Sequence, residues 1–182
     1  MIEVEVKARA PEGMAERIAD LGGELMAVES HLDLYFNSPL RDLKRSDEAL
    51  RIRIKEQGAR LTYKGPKLDS TTKSRLELTV KIDDAREMEE MLGHLGFVLS
   101  ATVRKQRRKY SYQDVTLALD EVEGLGFFLE VEAQGEGDIE EQRQKVLRVM
   151  GELGAHESIR SSYLELLEEK RLDNATGKSE PI

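Results

Sequence analysis

The chain opens on strict alternation. Ile2, Val4, Val6 and Ala8 fall on one face, and Glu3, Glu5, Lys7 and Arg9 on the other. A period of two with one apolar side is the signature of a strand resting on a core. The same pattern returns at His31–Phe36, Ala49–Lys55, Arg60–Lys64, Thr72–Ile82, Thr102–Tyr112, Val115–Val122 and Phe127–Ala133. Between these runs the period changes to that of a helix. Met14, Ile18 and Leu21 share a face after Pro11, and Gly22-Gly23 ends the segment. Asp83 or Asp84 is placed to cap a helix through Leu95, closed by Gly96, and Asp138 one through Leu153, closed by Gly154. Ser158 is placed to cap a last helix through Arg171. No linker separates these elements, so residues 1–171 read as one domain, and residues 172–182, which lack periodicity, as a frayed tail.

Part of this pattern repeats. Glu3-Val-Glu5-Val-Lys7 corresponds to Glu77-Leu-Thr79-Val-Lys81, and Leu21-Gly22 to Leu95-Gly96, all displaced by 74 residues. Glu130-Val-Glu132 followed by Leu153-Gly154 forms a looser third copy. Shared spacing across strand, helix and terminator points to internal duplication and a fold of two similar strand-rich halves.

The polar faces are segregated by sign. Arg51, Arg53 and Lys55 share one face; Arg60, Thr62 and Lys64 another; Lys105, Arg107 and Lys109 a third; Glu130 and Glu132 oppose Leu129 and Val131. Lys73, Arg75, Glu77, Thr79 and Lys81 share one more. One such strand reads as a solvated face. Several together, with like charges about 7 Å apart, repel one another and add nothing to a surface. The alternative is a curled sheet whose charged faces line a cavity, with helices packed on its apolar outside.

Composition narrows the chemistry. The 182 residues carry 28 Lys and Arg against 36 Asp and Glu, a net charge of -8, which disfavours a general nucleic-acid binder. The absence of cysteine excludes disulfides, thiolate metal sites and a cysteine nucleophile, and His31, His94 and His156 are too scattered for a histidine-rich metal site. The opening segment has the charge of neither a signal peptide nor a membrane span, so a soluble cytoplasmic protein without membrane partners is expected. Gly177-Lys178-Ser179 lacks the upstream glycine of a phosphate-binding loop. Paired carboxylates without cysteine or paired histidine suit Mg²⁺ or Mn²⁺. Arginine forks and lysines suit phosphate oxygens. A chelated polyphosphate neutralises both sets.

The ordered motifs carry a resemblance. After Glu3-x-Glu5-x-Lys7 come Asp33-x-Tyr35-Phe36, Ala49-Leu-Arg51-Ile-Arg53, Leu61-Thr-Tyr-Lys64-Gly-Pro and Arg75-x-Glu77. Lys105-x-Arg107, Leu119-Asp120, Gly126-Phe-Phe-Leu-Glu130-Val-Glu132 and Ser162-Tyr163-Leu-Glu-Leu-Leu follow. The chain resembles the CYTH family, or triphosphate tunnel metalloenzymes, closest to class IV adenylyl cyclase-like proteins. The resemblance implies an α+β fold, an eight-stranded antiparallel β-barrel tunnel with helices outside. It implies a triphosphate cradle of Lys7, Arg51, Arg53, Lys64, Arg75, Lys105 and Arg107, and metal ligation by Glu3, Glu5, Glu130 and Glu132 assisted by Asp120 and Glu77. Glu3, Glu5 and Lys7 are the expected catalytic set, with Mg²⁺ or Mn²⁺ as cofactor. Thr79 departs from the family, whose members often carry an acid there. The implied substrate is a small triphosphate: ATP cyclised to cAMP and pyrophosphate, or thiamine triphosphate or inorganic triphosphate hydrolysed. Binding of polyphosphate or nucleotide without turnover, as a monomer or homodimer, remains open.

Overall fold

The computed structural model describes residues 2–68, 75–133 and 137–176, with the main chain alone for Ile2, Glu3 and Thr176. The N-terminal run forms β1 (Ile2–Glu3) and β2 (Glu5–Arg9), followed by α1 (Met14–Asp20) and the strands β3 (Glu24–Asn37), β4 (Ala49–Lys55) and β5 (Gly58–Lys64). The second half repeats the order with β6 (Arg75–Ile82), α2 (Ala85–His94), β7 (Val98–Tyr112), β8 (Val115–Val122) and β9 (Gly126–Ala133). Two helices end the chain, α3 (Ile139–Glu152) and α4 (Tyr163–Thr176).

All described strand pairs are antiparallel, in the order β1-β6-β5-β4-β3-β7-β8-β9-β2. The two ends of that order are successive pieces of one strand. Glu3 pairs with Arg75 of β6, whereas Glu5 pairs with Glu132 of β9. The break at Val4 thus lets one N-terminal strand serve both edges of the curled sheet, giving the eight-stranded antiparallel tunnel expected. Edges so closed offer no template for pairing with other chains.

The duplication is visible in the register. β3 and β7 pair around a local two-fold: Ser30↔Gln106 and Leu32↔Arg104 exchange under the 74-residue displacement, and His31↔Lys105 lies on the axis. Each half lends its first strand to the other, β2 to β9 and β6 to β5. The three Leu-Gly terminators behave alike, with Gly22, Gly96 and Gly154 at φ of 89°, 87° and 70°. Only glycine takes that left-handed position freely, and it closes each helix through bonds to the preceding turn.

Two apolar layers lie outside the sheet. Val4, Val6, Ala8, Leu117, Leu129 and Val131 pack beneath α1 and α3, and Leu34, Phe36 and Ile52 beneath α2. A third cluster is inside. Tyr35, Val103, Val122 and Phe128 face inward in register with charged neighbours, and Tyr163 of α4 packs on them, its ring 5.0 Å from Phe128. The start of α4 therefore packs on the inner wall at one end of the tunnel. Under the 74-residue displacement, Tyr35 and Val103 correspond to Lys109 and Glu29 at the opposite end, which stays charged.

Some boundaries differ from the sequence expectation. β3 and β7 are longer because their outer halves continue to pair with each other beyond β4 and β8. α1 begins at Met14 after a left-handed Gly13 rather than at Pro11. α4 begins at Tyr163, not after Ser158, because Ser162 and Glu165 form a reciprocal capping box. It also continues to Thr176, beyond the expected end at Arg171. Residues 72–74 of the fifth expected strand and residues 177–182 of the tail lie outside the described residues.

Tyr163→Ala should remove the ring that closes the inner cluster and lower stability by about 3–5 kcal/mol, as for other buried aromatics. A urea midpoint unchanged from the parent would contradict this role for α4.

Candidate active site

Alternation turns every second residue of the inner strands toward one cavity of about 560 Å³. Such a volume is typical of small-molecule sites. From β4, β5, β6 and β7 it receives Arg51, Arg53, Lys64, Arg75, Lys105 and Arg107; from β2 and β9, Glu5, Glu130 and Glu132. The tunnel thus has a cationic wall and, where β2 and β9 meet, a carboxylate wall.

Most of the cationic wall is held by carboxylates on its own side. Asp33 accepts a forked pair of bonds from Arg53, Nε at 2.7 Å and the terminal nitrogen at 2.6 Å, with Arg51 3.6 Å away. Asp120 accepts from Lys105 Nζ at 2.7 Å, from two nitrogens of Arg107 at 2.6 Å and from the Tyr163 hydroxyl at 2.9 Å. Arg107 also reaches Glu130, Lys64 donates to Glu77, and Arg75 lies 3.6 Å from Glu77. Planar forks fixed in this way present their remaining N–H groups in set directions.

Three expected site residues stand differently. Lys7 is fully buried and does not line the cavity. Its ammonium donates to the Ser161 carbonyl and sits 4.2 Å from the Tyr163 ring centre, because its strand position falls beneath the start of α4. Asp120, also fully buried, has its oxygens occupied by the four donors above rather than facing the cavity. The side chain of Glu3 lies outside the described residues. Glu77 lines the cavity but sits between Lys64 and Arg75. Thr79, where an acid is often found, meets Thr62 across the sheet with hydroxyls 3.0 Å apart.

Sequence reasoning gave no role to three residues that the tunnel uses. Asp33, 1% exposed, anchors two arginines, and its place opposite Arg53 was signalled only by its inward phase beside Tyr35. Tyr163 ties α4 to Asp120. His31 is buried on the local axis, with Nε2 2.7 Å from Glu29, which also accepts from Lys55 at 2.7 Å.

The electrostatics follow from crowding and burial. Burial and then Arg107 bring Lys105 down to about 7 despite Asp120. Burial and Arg51 likewise lower Lys64, against Glu77 and Glu5. Burial works to raise Asp33, but Arg51 and Arg53 more than reverse it and hold the carboxyl well below its usual range. On the opposite wall Glu132 is raised by burial and then by the like charges of Glu5 and Glu130. Among the described residues no three His, Asp or Glu side chains converge as a formed metal site. A carboxylate raised by like-charged neighbours is nonetheless part of the hard-oxygen set that a divalent cation relieves.

A family model described as the CYTH domain matches residues 1–163. The chain belongs to the CYTH family. This is the family that the ordered motifs resembled. The chain is 40% identical over 174 residues to the "Putative adenylate cyclase MJ0240" of Methanocaldococcus jannaschii, covering 91% of this chain and 98% of that protein. It is 44% identical to the PH1819 protein of Pyrococcus horikoshii, with a TM-score of 0.87 over 93% of this chain and 99% of the other. The fold also matches HpAC1 of Hippeastrum at 22% identity and a TM-score of 0.65, over 98% of each chain. That protein is described as a "putative adenylyl cyclase" with a dominant triphosphatase activity. No helix among the described residues is long and apolar enough to cross a membrane.

The buried groups predict the acid response. His31 is brought from 6.5 to about 3 by burial and then by Arg53, so protons bind the unfolded chain first. Its contribution is intact above pH 6.5 and is lost as pH falls toward 3. Glu29 is held at about 2 because Lys55 and His31 overcome its burial, and it adds its own loss only below its ordinary value of 4.5. Urea midpoints of the parent should therefore fall between pH 6.5 and 4.5, and those of His31→Gln should fall less. Parallel slopes for the two proteins would contradict the assignment.

Proposed function

We propose that this CYTH protein is a metal-dependent phosphotransfer enzyme that holds a small triphosphate in its tunnel, with conversion of ATP to cAMP and pyrophosphate as the leading reaction. The observation that carries this reading is the partition of one cavity into a preset cationic wall and a crowded carboxylate wall. The name of the Methanocaldococcus relative supports the cyclase form.

In this reading Arg51, Arg53, Lys64, Arg75, Lys105 and Arg107 bind the phosphate oxygens. Glu5, Glu130 and Glu132, with Glu3, hold Mg²⁺ or Mn²⁺. The metal supplies charge neutralisation at the phosphoryl oxygens and lowers the cost of forming an alkoxide or hydroxide nucleophile. Asp33, Asp120 and Glu77 keep the cations in place, so little rearrangement accompanies the gain of charge on the leaving group. Lys7 acts at one remove by fixing the Ser161 carbonyl and the seat of α4. Cyclisation sets the ribose 3′-oxygen against the α-phosphorus, with pyrophosphate leaving; hydrolysis sets water against the terminal phosphorus.

One feature favours hydrolysis as the second reading. The aromatic residues on the cavity wall, Tyr35, Phe36 and Tyr163, are each committed elsewhere. Tyr35 and Tyr163 lie in the inner cluster and Phe36 in the outer core beneath α2, so none is left as a stacking platform for a nucleobase.

Incubation with ATP, thiamine triphosphate and inorganic triphosphate, each with Mg²⁺ or Mn²⁺, followed by product separation, discriminates the readings. cAMP with pyrophosphate marks the cyclase, and free phosphate the hydrolase. Failure to turn over any of the three overturns catalysis. Arg53→Ala should weaken triphosphate binding about 10- to 100-fold, the worth of one or two charge-assisted bonds. Glu132→Gln should raise the metal concentration needed for half-maximal rate at least tenfold while leaving metal-free triphosphate binding in place. Because Lys105 is held near 7, triphosphate binding at pH 8 should take up protons. Calorimetry in buffers of different ionisation heat measures that uptake, and a buffer-independent heat would contradict it.

A further inference from the structure

His31 sits at the centre of the tunnel, opposite Lys105 on the local two-fold, and is 3% exposed. Its Nε2 lies 2.7 Å from Glu29, a carboxylate that also accepts from Lys55. Glu29 is therefore an acceptor, and Nε2 carries the hydrogen. In the neutral ring Nδ1 is then a bare lone pair. That atom is buried and has no hydrogen-bond partner among the described residues. A buried polar atom left unpaired is costly and uncommon, and it marks a place where a partner belongs.

The surroundings identify the partner. Glu29 and Asp33 lie on the same face of β3, Arg53 and Lys55 project from β4, and Lys105 and Arg107 from β7. Glu29 and Asp33 are turned onto Lys55 and the arginines. The groups acting most strongly on the ring, apart from Glu29, are the cations Arg53, Lys105 and Arg107. Such a setting repels a further cation and attracts an anion.

We infer that His31 is a further phosphate-binding residue of the tunnel, protonated on Nδ1 when a phosphoryl anion enters between Arg53, Lys105 and Arg107. This deepens the triphosphate reading and rests on it. The proton comes from solvent and no bond of the ligand is broken. The resulting imidazolium donates Nε2–H to Glu29 and Nδ1–H to a phosphoryl oxygen. Burial keeps the ring neutral in the free protein, so the charge is acquired together with the ligand. The consequence is binding that tightens as pH falls toward 6, with Glu29 as the residue that sets the tautomer.

The test uses the full chain and inorganic triphosphate without metal. Three histidines make ¹⁵N spectra of the imidazole rings tractable. In the free protein His31 should show a neutral ring with hydrogen on Nε2 between pH 6 and 8. With triphosphate at pH 6 both nitrogens should carry hydrogen. His31→Asn should bind triphosphate about tenfold more weakly at pH 6, with the difference shrinking above pH 8, where a merely structural defect would persist. Triphosphate binding with the His31 ring still neutral overturns this inference and leaves the tunnel reading intact. No triphosphate binding by the parent overturns both.

Discussion

Charge buried inside a sheet is the constraint around which the tunnel is organised. An isolated guanidinium or ammonium facing a closed interior is prohibitively costly, and pairing repays the cost only when geometry is good. The inward carboxylates Asp33, Asp120 and Glu77 meet that condition for Arg53, Lys64, Lys105 and Arg107. Replacing such pairs by apolar side chains commonly leaves a fold no less stable, so they are poorly explained as glue. What they do is hold cations at fixed positions beside an open cavity. A ligand rich in negative charge then finds donors already aimed, and the reorganisation is built into folding rather than required at binding.

Duplication supplied a symmetric frame, and divergence made it useful. The ion pair Asp33↔Arg53 across β3 and β4 occupies the same place in its half as Arg107↔Asp120 across β7 and β8, with the signs exchanged. One half contributes cations from β4 and β5; the other places Glu130 and Glu132 on β9 beside Glu5. The ends diverged as well. Tyr35 and Val103 are buried at the end where α4 packs, while their equivalents Lys109 and Glu29 keep the other end polar. A two-fold scaffold thus became a directional one, with walls of opposite charge and a helix packed into one end.

Much of this was legible from the chain because alternation in a strand is a strong local signal. The inward phase of Arg51, Arg53, Lys64 and Lys105 follows from the same period that buries Ile52 and Leu117. The repeat of 74 residues was readable for the same reason, since Leu-Gly terminators demand a left-handed glycine. What alternation does not carry is depth along the tunnel. Lys7 shares the phase of Glu5, yet lies beneath Tyr163 and off the cavity wall. Asp120 shares the phase of a ligand, yet its oxygens are taken by four donors. Phe128, Val103 and Val122 were readable as inward residues, but their meaning depends on α4, whose arrival from far along the sequence no local pattern announces.

That dependence links the C-terminal helix to the cationic wall. The Tyr163 hydroxyl shares Asp120 with Lys105 and Arg107, and its ring lies 4.9 Å from the Lys105 ammonium and 4.2 Å from that of Lys7. A lysine between an aromatic face and a carboxylate is confined in position while burial keeps its proton loosely held. Loss of the helix would therefore take one of the four donors from Asp120, remove the aromatic face beside Lys105, and expose the inner apolar layer to water. The cationic wall and the inner cluster share one hydrogen-bonded unit at Asp120, and the seat of α4 contributes to the geometry of that wall.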